Sequence, residues 1–109
     1  MKNKIIITGA SGFSGNNILQ SLKKKFNLIG IYSRSYKKGQ KNYKIDLTKK
    51  ITNLYADWII HTASHHKIVD FKRQPITKYQ NNIKMIKNLI LLSKSKNIRN
   101  FVFFSTIDI

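Results

Sequence analysis

Apolar residues occur along the chain in two patterns, as short continuous runs and as longer stretches with helical spacing. The continuous runs predict strands. Residues 4–8 are β-branched without polar alternation and residues 101–104 are apolar at every position, which predicts strands covered on both faces of a sheet. The predicted strands cover residues 4–8, 28–32, 43–45, 57–62 and 101–104.

Three stretches show helical spacing or helix signals. Residues 13–25 predict a helix that ends in three lysines, where cations suit the helix dipole. Thr48 is suited to cap a short helix carrying Ile51 and Leu54. Pro75 suits the first turn of a long helix, because a missing N–H costs no hydrogen bond there. The apolar stripe expected on this long helix consists of Ile76, Tyr79, Ile83, Ile86 and Ile90.

The alternation of strands and amphipathic helices predicts an α/β fold, a parallel sheet with helices on both faces. With 109 residues, of which 41% are hydrophobic, the chain can form one folded domain but is short for a complete enzyme. The last predicted strand, 101–104, is apolar throughout and favours a further neighbouring strand. We therefore expect a sheet truncated after the fifth strand, with an exposed edge that favours self-association.

The charge balance is strongly basic. There are 21 Lys and Arg against 4 acidic residues, a formal net charge of +17, and no glutamate. This excess is typical of proteins with polyanionic partners. However, Lys, Ile and Asn share AT-rich codons, and the lysines are scattered rather than clustered, so genome composition is the better explanation and a nucleic-acid partner is not favoured.

Several classes of protein are disfavoured by composition. The absence of cysteine excludes disulfides and thiolate metal sites. No apolar run approaches the roughly 18 residues needed to cross a bilayer, and the first predicted strand leaves no room for a secretory signal. We expect a cytoplasmic protein without a membrane segment.

The segment TGASGFSG follows the first predicted strand and opens the first predicted helix. In such a strand-turn-helix unit, Gly9 allows a tight turn, Gly12 allows a pyrophosphate to approach the backbone, and Gly15 allows the helix to pack against the strand. The phosphates would lie on the helix N-terminus. A glycine-rich flexible loop is the alternative, but the strand and helix on either side favour a phosphate-binding turn.

The spacing of these glycines resembles the TGxxGxxG signature of short-chain dehydrogenases/reductases, and Phe13 points to the extended branch, the NAD(P)-dependent epimerase/dehydratase family. Four further segments resemble the family in the expected order. They are Asp46-Leu47, the His61-Thr62-Ala63-Ser64 segment, Asn82 with Asn88-Leu89-Ile90, and NFVFFST at residues 100–106.

The resemblance implies a Rossmann-type domain over residues 1–109 that binds a nicotinamide dinucleotide in an enzyme acting mainly on sugar nucleotides. The implied cofactor-binding residues are Gly9, Ser11, Gly12, Phe13, Ser14, Gly15, Ser33, Arg34, Asp46, Leu47, Thr62, Ala63, Ser64 and Asn82. Thr106, with Ser105 beside it, is the implied catalytic hydroxyl. Singly, each has a simpler explanation: Asp46 as a turn cap, Asn82 as a solvated helix residue, the hydroxyls as local strand-end groups.

The choice between NAD and NADP depends on the end of the second strand. NAD users commonly carry an acidic residue there for the ribose hydroxyls, whereas this chain has Ser33 followed by Arg34. Arg34 with Lys37 or Lys38 can instead hold a 2′-phosphate, which favours NADP. The alternative is that Arg34 belongs to a solvated basic loop.

The family's Tyr-x-x-x-Lys pair, which transfers the proton and holds the nicotinamide ribose, is not found in the 109 residues. We therefore expect a cofactor-binding part that has no turnover by itself. A non-catalytic NADP(H)-binding module is the second hypothesis, and a basic nucleic-acid-binding protein is the weakest. A metal site built from His61, His65, His66 and Asp70 is not favoured, because no second carboxylate or cysteine is close in sequence.

Overall fold

The computed structural model describes residues 3–10, 12–32, 41–51, 53–62 and 75–104, which contain five strands and two helices. In chain order these are β1 (Lys4–Thr8), α1 (Phe13–Leu22), β2 (Asn27–Tyr32), β3 (Lys41–Lys44), β4 (Trp58–His61), α2 (Pro75–Ser95) and β5 (Asn100–Phe103). Every predicted strand is present: β1 has the predicted bounds, and the ends of the other four differ by at most two residues. The first helix ends three residues earlier than predicted, and Lys23 to Lys25 form the turn after it.

The five strands form one parallel sheet in the order β3-β2-β1-β4-β5. The chain starts in the centre at β1, builds outward to β3, and then returns to the other side of β1 with β4. The direction of strand addition therefore reverses between β1 and β4. In open parallel sheets a ligand crevice forms at this reversal, outside the carboxyl ends of the strands.

Within the described residues, each face of the sheet packs against one helix. On one face Ile5, Ile7 and Ile60 pack with Leu19 of α1, and on the other Ile6, Ile29 and Ile59 pack with Leu89 of α2. Strand residues alternate between the two clusters because successive side chains of a strand point to opposite faces. The predicted parallel sheet with helices on both faces is confirmed, and the order is that of a Rossmann-type fold.

The apolar stripe predicted on the long helix was wrong at Ile83 and Ile90, which are exposed, whereas Ile86 is half-buried. The side chains of Ile76 and Tyr79 lie outside the described ones, and among those described the buried positions are Met85, Leu89 and Leu92. Lys87 and Lys94 are also exposed and recur at the same helical spacing as Ile83 and Ile90. Since the ammonium groups remain in water, the face that carries them turns outward and the neighbouring apolar face meets the sheet.

The short helix predicted after Thr48 was also wrong: residues 47–51 and 53–56 form turns and irregular backbone. The carboxylate of Asp46 accepts hydrogen bonds from the backbone N–H of Thr48 at 3.0 Å and from its hydroxyl at 2.6 Å. These bonds stabilise an Asx-type turn that competes with a helix start. Ile51 and Leu54 still reach the core under α2, although not from a helix.

Candidate dinucleotide site

The chain leaves β1 through a turn that begins at Gly9. Gly9 has a φ of 66°, in the left-handed region that glycine adopts without steric cost. Its carbonyl accepts a hydrogen bond from the N–H of Gly12 at 2.9 Å, which closes the turn. The N–H of Ala10 donates to the carbonyl of Ile31 at 3.1 Å and ties the turn to the end of β2.

Gly12 is the residue before the first turn of α1. Its φ of −78° is accessible to any residue, so its backbone conformation does not require glycine. What glycine provides here is open space beside the backbone, because it has no side chain. Among the described residues no side chain caps the helix, and its first turn carries no acidic residue. The N–H groups of this turn can therefore receive an anionic ligand with the favourable helix dipole behind them.

Gly15 lies where the new helix meets the end of β1. A Cβ on Gly15 would lie 2.0 Å from the carbonyl oxygen of Gly9 and 2.9 Å from the hydroxyl oxygen of Thr62. No side chain fits in that space, so only glycine permits α1 to begin this close to the strand. In the same turn the side-chain oxygen of Asn16 is buried and has no hydrogen-bond partner in the described part of the chain.

A buried hydrogen-bond network joins β1 and β4 directly behind the turn. The Thr8 hydroxyl lies 2.7 Å from Nδ1 of His61, and both side chains are inaccessible to solvent. Thr62 bonds to Thr8 twice: its N–H donates to the Thr8 hydroxyl at 3.0 Å, and its own hydroxyl donates to the Thr8 carbonyl at 2.6 Å. The carboxyl ends of the two strands are thereby fixed to each other.

Burial lowers the pKa of His61 to about 4, because the charged ring would lose its hydration. The imidazole is therefore neutral in the folded protein above that pH. The ring stacks on Phe103 with a centroid distance of 5.6 Å and an angle of 28°. It therefore lies between β1 on one side and β5 on the other.

Asp46 lies beyond β3 and is exposed. Hydrogen bonds from Thr48, first from its hydroxyl and then from its backbone N–H, lower the pKa of the Asp46 carboxyl. The following residue, Leu47, is buried, and its carbonyl accepts a hydrogen bond from the side-chain nitrogen of Asn88 at 2.8 Å. Asn88 on α2 thus holds the Asp46-Leu47 segment against the body of the domain.

The model of the NAD-dependent epimerase/dehydratase family matches residues 5–109, nearly the whole chain. The chain belongs to this family. The resemblance drawn from the glycine turn and the later segments is thereby confirmed. No curated protein sequence matches the chain.

Solved structures of this family share the fold. UDP-glucose 4-epimerase from Bifidobacterium longum, in complex with NAD+ and UDP, matches 94% of this chain with a TM-score of 0.81 and 22% identity. UDP-N-acetylglucosamine 4-epimerase from Methanobrevibacter ruminantium M1 matches 96% with a TM-score of 0.78 and 24% identity. TunA, an NAD-dependent NDP-hexosamine 5,6-dehydratase, matches 96% with a TM-score of 0.81 and 21% identity. The chain spans only 37%, 38% and 37% of these three proteins, respectively.

Part of the predicted family site lies within the described residues. Gly9, Gly12, Gly15 and Thr62 meet at the carboxyl ends of β1 and β4. Ser14 is exposed in the first turn of α1, and only the backbone of Phe13 is described. Asp46 and Leu47 follow β3, and Asn82 is half-buried on α2.

Other predicted site residues lie outside the described ranges. They are Ser11, Ser33, Arg34, Ala63, Ser64, Ser105 and Thr106. The same holds for His65, His66 and Asp70, which were weighed with His61 as a metal site.

Three residues of the site region were not predicted to have a role, namely Thr8, His61 as a partner of Thr8, and Asn88 as an anchor. Thr8 and His61 are each a polar residue at the end of an apolar strand, and this feature can be recognised in the sequence. Their pairing depends on β1 and β4 being neighbours in register, which the sequence does not show. In the described part of the chain neither helix is apolar over a length that would span a membrane.

Proposed function

We propose that this chain is the dinucleotide-binding part of an NAD(P)-dependent enzyme that acts on a sugar nucleotide as an epimerase, dehydratase or reductase. The observation that carries the proposal is the turn from Gly9 to Gly15 at the point where the sheet order reverses. Membership of the NAD-dependent epimerase/dehydratase family supports the same conclusion.

The turn suits a pyrophosphate in shape and in electrostatics. Gly12 presents backbone rather than a side chain, and the first turn of α1 offers N–H donors and no acidic residue. Ser11, Phe13 and Ser14 belong to the same segment and would line it. A bound nicotinamide would supply the hydride acceptor or donor of the reaction.

The remaining proposed cofactor contacts come from the segments after β3 and β4 and from α2. Asp46 and Leu47 follow the carboxyl end of β3, which is the neighbour of β2 in the sheet. In this proposal the two residues contact the adenine. Thr62 directly follows β4 and lies beside Gly15. Ala63 and Ser64 are the next two residues in the sequence and would extend this contact. Asn82 on α2 completes the set.

NADP is the preferred dinucleotide in this proposal. β2 ends at Tyr32, and the next two residues are Ser33 and Arg34, so the position of an NAD-selective carboxylate is filled by a hydroxyl and followed by a cation. A guanidinium can pair with a 2′-phosphate in a bidentate manner. Equal affinities for NADH and NADPH would contradict this preference.

The reaction itself requires groups beyond dinucleotide binding. Thr106, with Ser105 beside it, would orient a substrate hydroxyl or carbonyl, and both residues follow β5 within three positions in the sequence. None of the five tyrosines has a lysine four residues later. We therefore expect the 109-residue chain to bind the dinucleotide without turnover, the substrate being a nucleotide sugar in the complete enzyme.

Self-association is part of the proposal as well. β5 forms an edge of the sheet in the described residues, and the phenyl rings of Phe103 and Phe104 at its end are 47% and 43% exposed. Exposed apolar side chains next to unpaired strand groups favour pairing with another chain.

A thermal-shift titration tests the binding proposal. NADPH is expected to raise the melting temperature of the chain, whereas Gly12→Val is expected to abolish the shift because a branched side chain would occupy the pyrophosphate position. Lys23→Val, on the exposed turn after α1, is the matched control and should leave the shift intact. A shift that persists in Gly12→Val would contradict the proposed site.

A further inference from the structure

Two strands lead into the two chemically distinct parts of the proposed site. β1 runs into the glycine turn, and the end of β5 at Phe103 is followed in the sequence by Phe104 and then by the hydroxyl pair Ser105-Thr106. β4 lies between them in the sheet, so its last residue is the one placed to couple the two ends.

That last residue is His61, and its side chain contacts both neighbours. Thr8 and Phe103 are its register partners on β1 and β5, so the three side chains form one row across the sheet. Nδ1 of His61 lies 2.7 Å from the Thr8 hydroxyl, and the ring face stacks on Phe103. The carbonyl of His61 also accepts a hydrogen bond from the N–H of Phe104 at 3.1 Å, at the point where β5 ends.

The Thr8 side of this row continues into the turn. The Thr8 hydroxyl also accepts the N–H of Thr62, and the Thr62 hydroxyl lies 2.9 Å from the place that a Cβ on Gly15 would take. Moving Thr8 would therefore move Thr62 against Gly15 and alter the start of α1. A neutral polar ring suits this position, because it bonds to a hydroxyl and packs flat on a phenyl ring at once.

We propose that His61 is a positioning residue that, through Thr8 and Phe103, sets the glycine turn and the end of β5 relative to each other. It acts without touching the dinucleotide. This inference rests on the proposed function, since it assigns His61 a role in holding that site in its binding geometry.

Two substitutions separate the hydrogen bond from the ring contact. His61→Phe keeps an aromatic ring against Phe103 but loses the bond to Thr8. His61→Asn keeps a polar atom at the Nδ1 position, able to accept from or donate to the Thr8 hydroxyl, but loses the ring. Ile98→Val, in the core beneath α2, is the control for a general loss of stability.

The first readout is the dissociation constant for NADPH, measured by calorimetry well below the melting temperature of each variant. His61→Phe is expected to weaken binding about tenfold, which corresponds to about 1.4 kcal/mol. His61→Asn should recover most of this loss. Thr8→Val combined with His61→Phe should be no worse than the weaker-binding single variant, because both remove the same bond. Ile98→Val should lower the melting temperature and leave binding unchanged.

The second readout does not need the dinucleotide. The N–H of Gly12, which donates to Gly9, is expected to exchange with solvent roughly tenfold faster in His61→Phe and at the parent rate in Ile98→Val. If the parent chain binds no dinucleotide, the proposed function fails, and the exchange rates alone decide the role of His61. Unchanged exchange at Gly12 in His61→Phe, or equal effects of His61→Phe and Ile98→Val, would overturn the proposal.

Discussion

The glycines of the turn differ in what an added side chain would meet. A Cβ on Gly15 would overlap the Gly9 carbonyl, whereas a Cβ on Gly12 would lie 3.3 Å from the same oxygen. We expect Gly15→Ala to lower the free energy of unfolding by about 1–3 kcal/mol or more, as overpacked sites do. Gly12→Ala should change it by less than about 1 kcal/mol. Urea denaturation measures both, and equal losses would contradict the assigned difference.

His61 gives the stability of the domain a specific pH dependence. The pKa of His61 is about 4 in the folded state against 6.5 for an unperturbed histidine, so between these values the unfolded chain binds more protons. The contribution of neutral His61 is complete above pH 6.5 and is lost as the pH falls toward 4, by on the order of 3 kcal/mol.

Urea denaturation at several pH values checks this, with His61→Asn as the control that removes the titrating ring. The two histidines at 65 and 66 remain in both chains, so the difference between the curves belongs to His61. Parallel curves for the two chains between pH 4 and 6.5 would contradict the assigned pKa.

The roles of single residues were predictable where the backbone conformation or a close packing contact permits only one residue type. The spacing of Gly9, Gly12 and Gly15 after an apolar run was enough to predict the tight turn at Gly9 and the close approach of helix to strand at Gly15. The pyrophosphate contact at Gly12 stays a prediction. The bond between Thr8 and His61 was not predictable, because the two residues are 53 positions apart and meet only through strand register.

Among the elements, α2 has the additional task of holding the segment after β3. The side chain of Asn88 donates to the carbonyl of Leu47, a residue without a helix or strand of its own. Asn88→Ala is expected to lower the free energy of unfolding by about 1–2 kcal/mol, because it leaves that carbonyl unpaired. Lys87→Ala, one position away and exposed, should have little effect. Equal effects of the two changes in urea denaturation would contradict the anchoring role.

Strands were easier to predict than the buried face of α2 or the segment after β3. A continuous apolar run such as residues 4–8 has few alternatives to a strand buried on both faces, and the structure buries Ile5, Ile6 and Ile7. Its central place in the strand order was not predicted. α2 has apolar residues around most of its circumference, so periodicity alone left its orientation undetermined. Thr48 does not cap a helix because its hydroxyl and N–H both donate to the carboxylate of Asp46. The pattern of apolar residues carries no information about this local bond.

For the whole molecule, the net charge opposes self-association and the exposed apolar surface favours it. A net charge of +17 keeps copies apart at low salt, while Phe104 at the end of β5 favours contact. We expect self-association to increase as salt screens the repulsion, and Phe104→Ser to reduce it.

Sedimentation velocity at low and high salt measures this association. Leu91→Ser, at a residue 60% exposed on α2, is the matched control and should associate like the parent chain. Association that depends on Leu91 and not on Phe104 would place the contact on the helix and contradict the edge of the sheet.

The central claim is that the turn from Gly9 to Gly15 binds the pyrophosphate of a nicotinamide dinucleotide. A chain of 12.7 kDa permits assignment of every backbone amide by NMR, so a titration with NADPH reports the site residue by residue. The amides of Gly12 to Gly15 are expected to shift most, and in Gly12→Val these shifts should disappear. Shifts confined to the scattered surface lysines, with the turn amides unmoved, would contradict the claim.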